Sequence, residues 1–160
     1  MQLSKRCEYA LRALIDLGLA HAAGRSHVPL PELAAHENLP ARFLEQILQE
    51  LRARGWVGSR RGQAGGYALE AHAEAISIGD VVRHFEGPLA PIRCASVTAY
   101  ERCSCPDEEH CGLRLLMVEA RAAISRVLDA QTLADVVAVT RRTRRRAGLD
   151  LPFLPPEGDA

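Results

Sequence analysis

The chain has 160 residues, which suits one domain or a compact domain with a dimerisation arm. Hydrophobic residues make up 48% of the chain and aromatic residues only 4%, so the core must come from Leu, Val, Ile and Ala, a composition that favours helices packed on helices. The net charge is zero, and charged residues interrupt the apolar stretch near the N-terminus, which argues against a signal peptide or a membrane-spanning helix and predicts a cytoplasmic protein.

Three helices are predicted in the first third of the chain. Ser4 can cap a helix that runs to about Ala22, and Pro31 can start a short second helix as its first helical residue. A third helix is predicted over residues 41–54, because five apolar side chains share one face: Phe43, Leu44, Ile47, Leu48 and Leu51. A short helix, a brief turn and a longer amphipathic helix form the helix-turn-helix pattern of DNA-binding proteins.

The N-terminal part of this third helix carries side chains that are suited to reading base edges. Arg can pair with guanine and Gln with adenine, and Glu can accept a hydrogen bond from the cytosine amino group. A carboxylate near phosphates is unfavourable unless it has a base to read, which makes Glu45 informative. We therefore expect base contacts from Arg42, Glu45 and Gln46. The alternative is a solvated amphipathic helix with charge pairs four residues apart.

Two short strands are predicted on either side of a basic, glycine-rich loop, an arrangement that predicts a wing. Arg60 and Arg61 in this loop can contact phosphates or enter the minor groove. Gly65 and Gly66 let the backbone turn and approach DNA closely. Residues 52–66 hold four arginines and no acid, so the chain has a local basic patch although its net charge is zero.

A long helix is predicted over residues 112–129, and its apolar stripe is larger than one small domain can bury, so we expect it to form a dimer interface. A short helix over 132–140 and an arginine-rich, poorly ordered tail are predicted to follow. The predicted fold is mainly α with a small β-wing. The chain divides into a winged helix-turn-helix domain, a cysteine-rich sensor loop, a dimerisation arm with a short terminal helix, and a tail: 1–87, 88–111, 112–140 and 141–160.

Four of the five cysteines lie in the predicted sensor loop: Cys94, Cys103, Cys105 and Cys111. Disulfides are rare in the reducing cytoplasm, so thiols at this density suit an iron–sulfur cluster, zinc or a redox switch. Cys7 lies in the first turn of the first helix instead, and we expect it to pack in the core rather than to bind metal.

Four stretches of the sequence are diagnostic when taken together. They are MQLSKRCEYALRAL at the N-terminus, LPARFLEQILQELR in the predicted helix-turn-helix, RRGQAGGYAL in the wing, and CGLR before the long helix. At this spacing they resemble the family of winged-helix transcription regulators that includes IscR, NsrR and CymR, the Rrf2 type. The resemblance spans residues 1–140 and implies a dimeric repressor or activator whose long C-terminal helix crosses that of its partner.

Several members of this family hold an iron–sulfur cluster with cysteines in the loop before that helix, and others lack these cysteines and sense by other means. The gap from Cys105 to Cys111 matches the spacing in the cluster-binding members. The earlier gap does not match, so either Cys94 or Cys103 could supply the third thiol. This departure leaves the cluster type and the ligand set open.

Some relatives hold a two-iron cluster between the two subunits and complete its ligand shell with a glutamate of the first helix. Glu8 stands at the position of that glutamate, and Cys94 and Cys111 stand at the positions of the two thiol ligands. The resemblance therefore favours a 2Fe–2S over a 4Fe–4S cluster. A histidine that these relatives also use has no clear counterpart, because His36 lies one position away and Glu37 takes its place.

Together these features predict a sequence-specific DNA-binding regulator, with repression as the favoured action, that binds a palindromic operator as a homodimer. Its operator binding is expected to depend on an iron–sulfur cluster or on the redox state of its thiols. The alternatives are a small zinc- or thiol-dependent enzyme and an adaptor that senses nothing. The enzyme is disfavoured, because the sequence has no Cys-x-x-Cys motif and no evident histidine base for a cysteine nucleophile.

Overall fold

The computed structural model describes residues 2–62 and 65–154 and shows a mainly α-helical chain with a two-stranded antiparallel wing, which confirms the predicted fold class. In chain order the described elements are α1 (Lys5–Ala22), α2 (Leu30–Glu37), α3 (Ala41–Ala53), β1 (Val57–Arg60), β2 (Gly66–Leu69), α4 (Ile78–Glu86), α5 (Gly112–Asp129) and α6 (Leu133–Arg146). Short 3-10 turns lie at Ala73–Ala75 and Arg93–Ala95. Along the described residues, no helix is both long and apolar enough to cross a membrane.

Local capping sets where two of the helices begin. The Ser4 hydroxyl accepts a hydrogen bond from the backbone N–H of Cys7 (3.2 Å) and so caps α1. The same hydroxyl donates to the Glu86 carboxylate at the end of α4 (2.6 Å), so the cap also ties α1 to α4. A capping box formed by Thr132 and Asp135 begins α6. The predicted extents of α1 and α5 are confirmed.

The central helix of the core is α1, which packs against α3, α4 and α6. Its buried face consists of small and aliphatic residues, as the composition predicts: Cys7, Ala10, Ala13, Leu14 and Leu17. At Gly18 the lack of a side chain lets α6 approach closely, because a Cβ there would collide with Val137. α1 therefore positions both the helix-turn-helix and the C-terminal helices.

A third extended segment anchors the wing to the helix-turn-helix. β1 and β2 pair antiparallel, with Arg60 opposite Gly66. Beyond this pair, β2 also bonds to the connector between α1 and α2, because Val28 and Tyr67 exchange two backbone hydrogen bonds of 2.9 Å each. This pairing fixes the wing relative to α2 and α3.

The prediction of a poorly ordered tail after residue 140 is wrong for the residues that the structure describes, since α6 continues through the arginine run to Arg146. Arginine is a good helix former, and positive charge in the last turn of a helix interacts favourably with the helix dipole. After α6 the chain folds back, and Phe153 is buried in the main hydrophobic core. The remainder of the predicted tail, residues 155–160, lies outside the described residues.

Candidate nucleic-acid interface and cysteine loop

The amphipathic pattern of α3 separates a packing face from a solvent face. Four fully buried aliphatic side chains hold the helix against the core: Leu44, Ile47, Leu48 and Leu51. Glu50 adds two contacts, an ion pair with Arg6 of α1 (2.5 Å) and a contact with the imidazole of His84 of α4 (3.2 Å). Arg42 and Gln46 are exposed on the outward side. The helix is therefore fixed to the core while its solvent face stays open.

A cleft of about 440 Å³ lies between α3 and the wing. Its walls contain five of the residues that the sequence predicts for DNA contact: Glu45, Arg60, Arg61, Gly65 and Gly66. The structure thus brings a carboxylate of α3 and two guanidinium groups of the wing to one surface. Arg42 and Gln46 lie on α3 outside the lining of this cleft.

Among the other residues that line this cleft are Gln49, Arg52 and Ser59, which the sequence does not single out as DNA contacts. The helical period could have identified two of them, because positions four and seven residues after Glu45 lie on the same face of a helix. Arg52 adds positive charge of the kind that phosphates attract. Tyr67 also lines the cleft, and burial together with the charge of Glu45 raises the pKa of its hydroxyl.

The glycines of the wing are required by its packing. Gly66 has a φ of +151°, and a Cβ at this position would collide with the backbone carbonyl of Val28. A Cβ on Gly65 would collide with the carbonyl oxygen of Arg60. These glycines therefore let β2 lie against the connector before α2 and let the loop return close to β1. Their predicted approach to DNA stays a prediction.

The four cysteines that the sequence proposes as ligands lie in the loop before α5. Cys94 is buried, and the other three are half-buried. The N–H of Cys105 donates to the sulfur of Cys103 (3.3 Å). The pKa of Cys105 is raised to about 11 by a hydrogen bond with Cys103, by burial and by the nearby Cys111 thiol. The pKa of Cys94 is raised by burial and by the nearby Cys103. The four thiols therefore form one connected group.

Glu108 organises this loop from within. Its Oε1 accepts a hydrogen bond from the Tyr100 hydroxyl (2.6 Å), and its Oε2 accepts one from the backbone N–H of Cys103 (3.1 Å). The Nε of Arg114 on α5 lies 3.5 Å from Oε1. The hydrogen bond from Tyr100 has the largest effect in lowering the pKa of Glu108, and the contacts with Cys103 and Arg114 lower it further. The sequence shows Glu108 only as one acid among several, so no local signal identifies this role.

Two arginines of α5 connect the loop to that helix. Arg114 donates from Nε to the carbonyl oxygen of Cys94, and Arg121 donates to that of Ala95, each over 3.0 Å. Cys111 occupies the N-cap position of α5, and its side chain makes no capping hydrogen bond. A change in the conformation of the loop would therefore act directly on the start and the middle of α5.

The donor set of the loop suits both an iron–sulfur cluster and zinc, because thiolates bind both. Zinc with Zn–S bonds of about 2.3 Å holds four sulfurs in a tetrahedron with edges of about 3.8 Å. Among the described residues, the three metal-ligating side chains whose donor atoms all lie within 4.8 Å of one another belong to α1 and α2 and not to this loop. The described thiols are therefore not preorganised around a single metal ion.

Glu8, the non-cysteine ligand that the resemblance implies, makes its contacts elsewhere. Its carboxylate oxygens are 2.8 Å from Lys5 and 3.6 Å from Arg12, and the hydrogen bond with Lys5 lowers its pKa. Within the described part of this single chain, none of its hydrogen bonds or ion pairs reaches a cysteine. The structure therefore brings the four cysteines together but not Glu8, whose ligation across a dimer stays a prediction.

Comparisons of the sequence identify relatives that cover nearly the whole chain. The family model of Rrf2, described as an iron-dependent transcriptional regulator, matches residues 3–139. The transcriptional regulator CymR of Bacillus subtilis is 34% identical over 140 residues, which cover 88% of this chain and 92% of that protein. The transcriptional regulator NsrR of Geobacillus kaustophilus is 36% identical over 137 residues, which cover 86% of this chain and 90% of that protein.

Solved structures agree with the sequence relatives. The structure of B. subtilis CymR, described as the global cysteine regulator of that organism, matches with a TM-score of 0.69 at 32% identity and covers 87% of this chain and 98% of that one. Family membership accordingly accounts for the fold, for the helix-turn-helix with its wing, and for regulation of transcription rather than catalysis. The chain belongs to the Rrf2 family of helix-turn-helix transcriptional regulators.

Proposed function

We propose that this transcription regulator recognises a specific operator through α3 and the wing and represses the genes beside it. The observation that carries the proposal is the cleft between the two elements, where three arginines lie beside polar side chains of α3: Arg52, Arg60 and Arg61 with Glu45 and Gln49. Guanidinium groups suit phosphates and the minor groove, whereas the carboxylate and the amide suit base edges. Arg42 and Gln46, which lie outside the lining of the cleft, add two exposed polar side chains of the same helix.

Selection of bound fragments from a random DNA library tests operator recognition, because every possible site competes in the same experiment. We expect enrichment of a palindrome whose half-sites lie about one helical turn apart, roughly 34 Å, because a twofold dimer presents two copies of α3. Mobility-shift titration of the enriched site against a scrambled site of equal length is the control. Equal binding to the enriched and the scrambled site at every salt concentration would contradict the proposal, because contacts to phosphates alone would then explain the affinity.

We infer that the dimer forms through α5. Four apolar side chains of this helix are more than half exposed in the single chain: Leu113, Leu115, Leu116 and Val127. The second half of α5 also borders an apolar groove of about 420 Å³, whose other wall consists of Leu3, Leu11, Ile78 and Val82. Exposed apolar surface of this extent supports association with a second copy, as the family resemblance implies.

We propose that the cysteine loop holds an iron–sulfur cluster, with the 2Fe–2S form favoured and Glu8 as a ligand across the dimer. The grouping of four thiols next to α5 supports this, as does a family description that names iron. When bound, such a cluster supplies a redox-responsive centre. The reducing cytoplasm, where we place the protein, keeps the thiols available. Because Arg114 and Arg121 bind carbonyl oxygens of the loop, a change in the conformation of the loop would move α5. Movement of α5 would alter the spacing of the two α3 helices in the dimer.

Iron analysis and the visible spectrum of anaerobically purified protein test the cluster. We expect Cys94→Ala and Cys111→Ala each to remove iron and visible absorbance, and Cys7→Ala, which alters a core residue, to leave both. Cys103→Ala and Cys105→Ala should differ from each other, because at most one of them is needed. Protein that stays colourless and iron-free after reconstitution would contradict the cluster and leave zinc or a thiol switch in its place.

A further inference from the structure

A second group of metal-ligating side chains lies between α1 and α2. Asp16 of α1 meets His36 and Glu37 from the last turn of α2. The Nδ1 of His36 is 2.9 Å from Oδ2 of Asp16 and 3.7 Å from Oε1 of Glu37. One donor atom from each residue lies within 4.8 Å of the other two, and no other three such side chains in residues 2–62 and 65–154 converge in this way.

The two carboxylates of this group are buried. The side chains of Asp16 and Glu37 are 5% and 6% exposed, whereas that of His36 is 37% exposed and opens the group to solvent. Within the described chain, Asp16 contacts the imidazole of His36, and it forms no ion pair with an arginine or lysine. Arg12 offsets the charge of Glu37, whereas the buried Asp16 has only the His36 imidazole beside it, so a cation bound there would offset its charge.

Neighbouring residues hold the three side chains in position. The Nε of Arg12 lies 2.5 Å from Oε2 of Glu37, which leaves Oε1 on the side of His36. Phe153 packs edge-on against the imidazole ring of His36, with ring centroids 4.8 Å apart. In metal sites, residues that contact a ligating side chain without binding the metal orient that side chain.

The spacing of the donor atoms matches that of a small divalent cation. Bonds of about 2.0–2.2 Å to nitrogen and oxygen place the ligands of a tetrahedral site about 3.4 Å apart. The two spacings from His36, a hydrogen-bond contact of 2.9 Å to Asp16 and 3.7 Å to Glu37, lie on either side of that value, and the donor atoms of Asp16 and Glu37 lie within 4.8 Å of each other. One imidazole nitrogen with two carboxylate oxygens is a donor set that first-row divalent cations accept.

We propose that Asp16, His36 and Glu37 bind a divalent transition-metal cation such as Zn²⁺ or Mn²⁺, independently of the cysteine loop. Water completes the coordination on the exposed side of His36. The cation joins the end of α2 to α1 directly before the turn that leads into α3. Its binding therefore fixes the orientation of α3 within the DNA-binding body.

Mn²⁺ is the probe for this site, because carboxylate ligands suit it and thiolates do not. Electron paramagnetic resonance during titration of the full-length protein measures the free cation. We expect one bound Mn²⁺ per chain. Asp16→Asn and Glu37→Gln should each weaken its binding by at least roughly tenfold, because even the loss of a residue that only hydrogen-bonds a ligand lowers metal affinity by this factor. Glu32→Gln is the matched control, because it removes a carboxylate of α2 that pairs with Arg25 outside the group.

Thermal unfolding separates the loss of a ligand from the loss of the fold. Mn²⁺ should raise the unfolding midpoint of the wild type and of Glu32→Gln but not that of Asp16→Asn, because a cation stabilises only a folded state that binds it. Cys111→Ser should keep the wild-type affinity for Mn²⁺. The proposal is overturned by a wild type that binds no Mn²⁺, by unchanged affinity in both carboxylate variants, or by loss of binding in Cys111→Ser. None of these results depends on operator binding.

Discussion

Cys7 is fully buried in the first turn of α1, as the sequence predicts, whereas Cys111 is half-buried at the start of α5. Burial, with a smaller effect of the Glu86 charge, raises the pKa of the Cys7 thiol to about 12. Cys7 therefore carries very little of the reactive thiolate at pH 8. In the cluster-free protein, we expect iodoacetamide to modify Cys111 while the fold is intact and Cys7 only after unfolding.

Peptide mass spectrometry after labelling at pH 8 measures this difference between the thiols. The Cys7→Ala variant is the control, and its native protein should take up as many labels as the native wild type. In urea the wild type should take up one label more than this variant. Labelling of Cys7 in the native protein at the rate of Cys111 would contradict its place in the core.

Residues of α3 and of the wing should differ in what their removal does to DNA binding. Gln46→Ala should lower discrimination at particular base pairs by about 1–3 kcal/mol, because a bidentate contact to a base is lost. Arg60→Ala should weaken binding to all sequences alike and reduce the salt slope by roughly one, because a phosphate contact is lost. Fluorescence anisotropy with the operator and its single-base variants, over a range of salt, measures both effects. Wild-type behaviour of both variants would exclude these contacts.

At the scale of elements, the contact between α1 and α6 depends on Gly18. A Cβ there would collide with Val137, so Gly18→Val should destabilise the fold by about 1–3 kcal/mol through overpacking. Adding Val137→Ala should recover part of the loss, because the two positions are in contact and their effects are not additive. Urea unfolding measures these changes.

The control for this contact is Ala22→Val, which places the same side chain at an exposed position of α1. This substitution should lower the free energy of unfolding by less than about 0.7 kcal/mol, because helix propensities of ordinary residues differ by no more than this. Equal stability of Gly18→Val and Ala22→Val would mean that α6 does not approach α1 as closely as the structure shows.

The starts of the helices could be predicted because their causes are local. The Ser4 cap and the proline in the first turn of α2 act within four residues of their own positions, and a sequence displays such signals directly. The end of α6 at Arg146 could not be predicted in this way. A run of like charges is typical of a solvated tail unless the preceding turns are known to pack, as Leu133 and Val137 do here.

Contacts between distant segments could not be predicted from local patterns. Val28 pairs with Tyr67 only because the wing folds back on the connector before α2. Nothing in an acid-rich loop distinguishes Glu108 from its neighbours until Tyr100 and Arg114 are seen to contact it. The sequence therefore predicts which residue types could read DNA or bind a cluster, and the fold decides which of them meet.

At the scale of the whole molecule, assembly should depend on the apolar surface of α5. Ile124 lines the apolar groove, and Ile124→Glu would place a charge in the proposed interface. We expect this variant to sediment as a monomer and to lose tight operator binding, because two half-sites read together supply much of the affinity.

Ala22→Glu is the matched control for the interface, since it adds the same charge at an exposed position of α1 outside this groove. It should sediment as the wild type does. Analytical ultracentrifugation over a range of concentrations measures both variants. A dimeric Ile124→Glu would place the interface elsewhere.

The bond between Val28 and Tyr67 also has a thermodynamic consequence for recognition. A segment that becomes ordered only on meeting DNA loses conformational entropy at that moment, on the order of 1–2 kcal/mol per residue. The strand β2 is already held by β1 on one side and by Val28 next to α2, so this loss occurs during folding. The base of the wing and α3 should therefore engage the operator as one preorganised body, and they should leave it together rather than in succession.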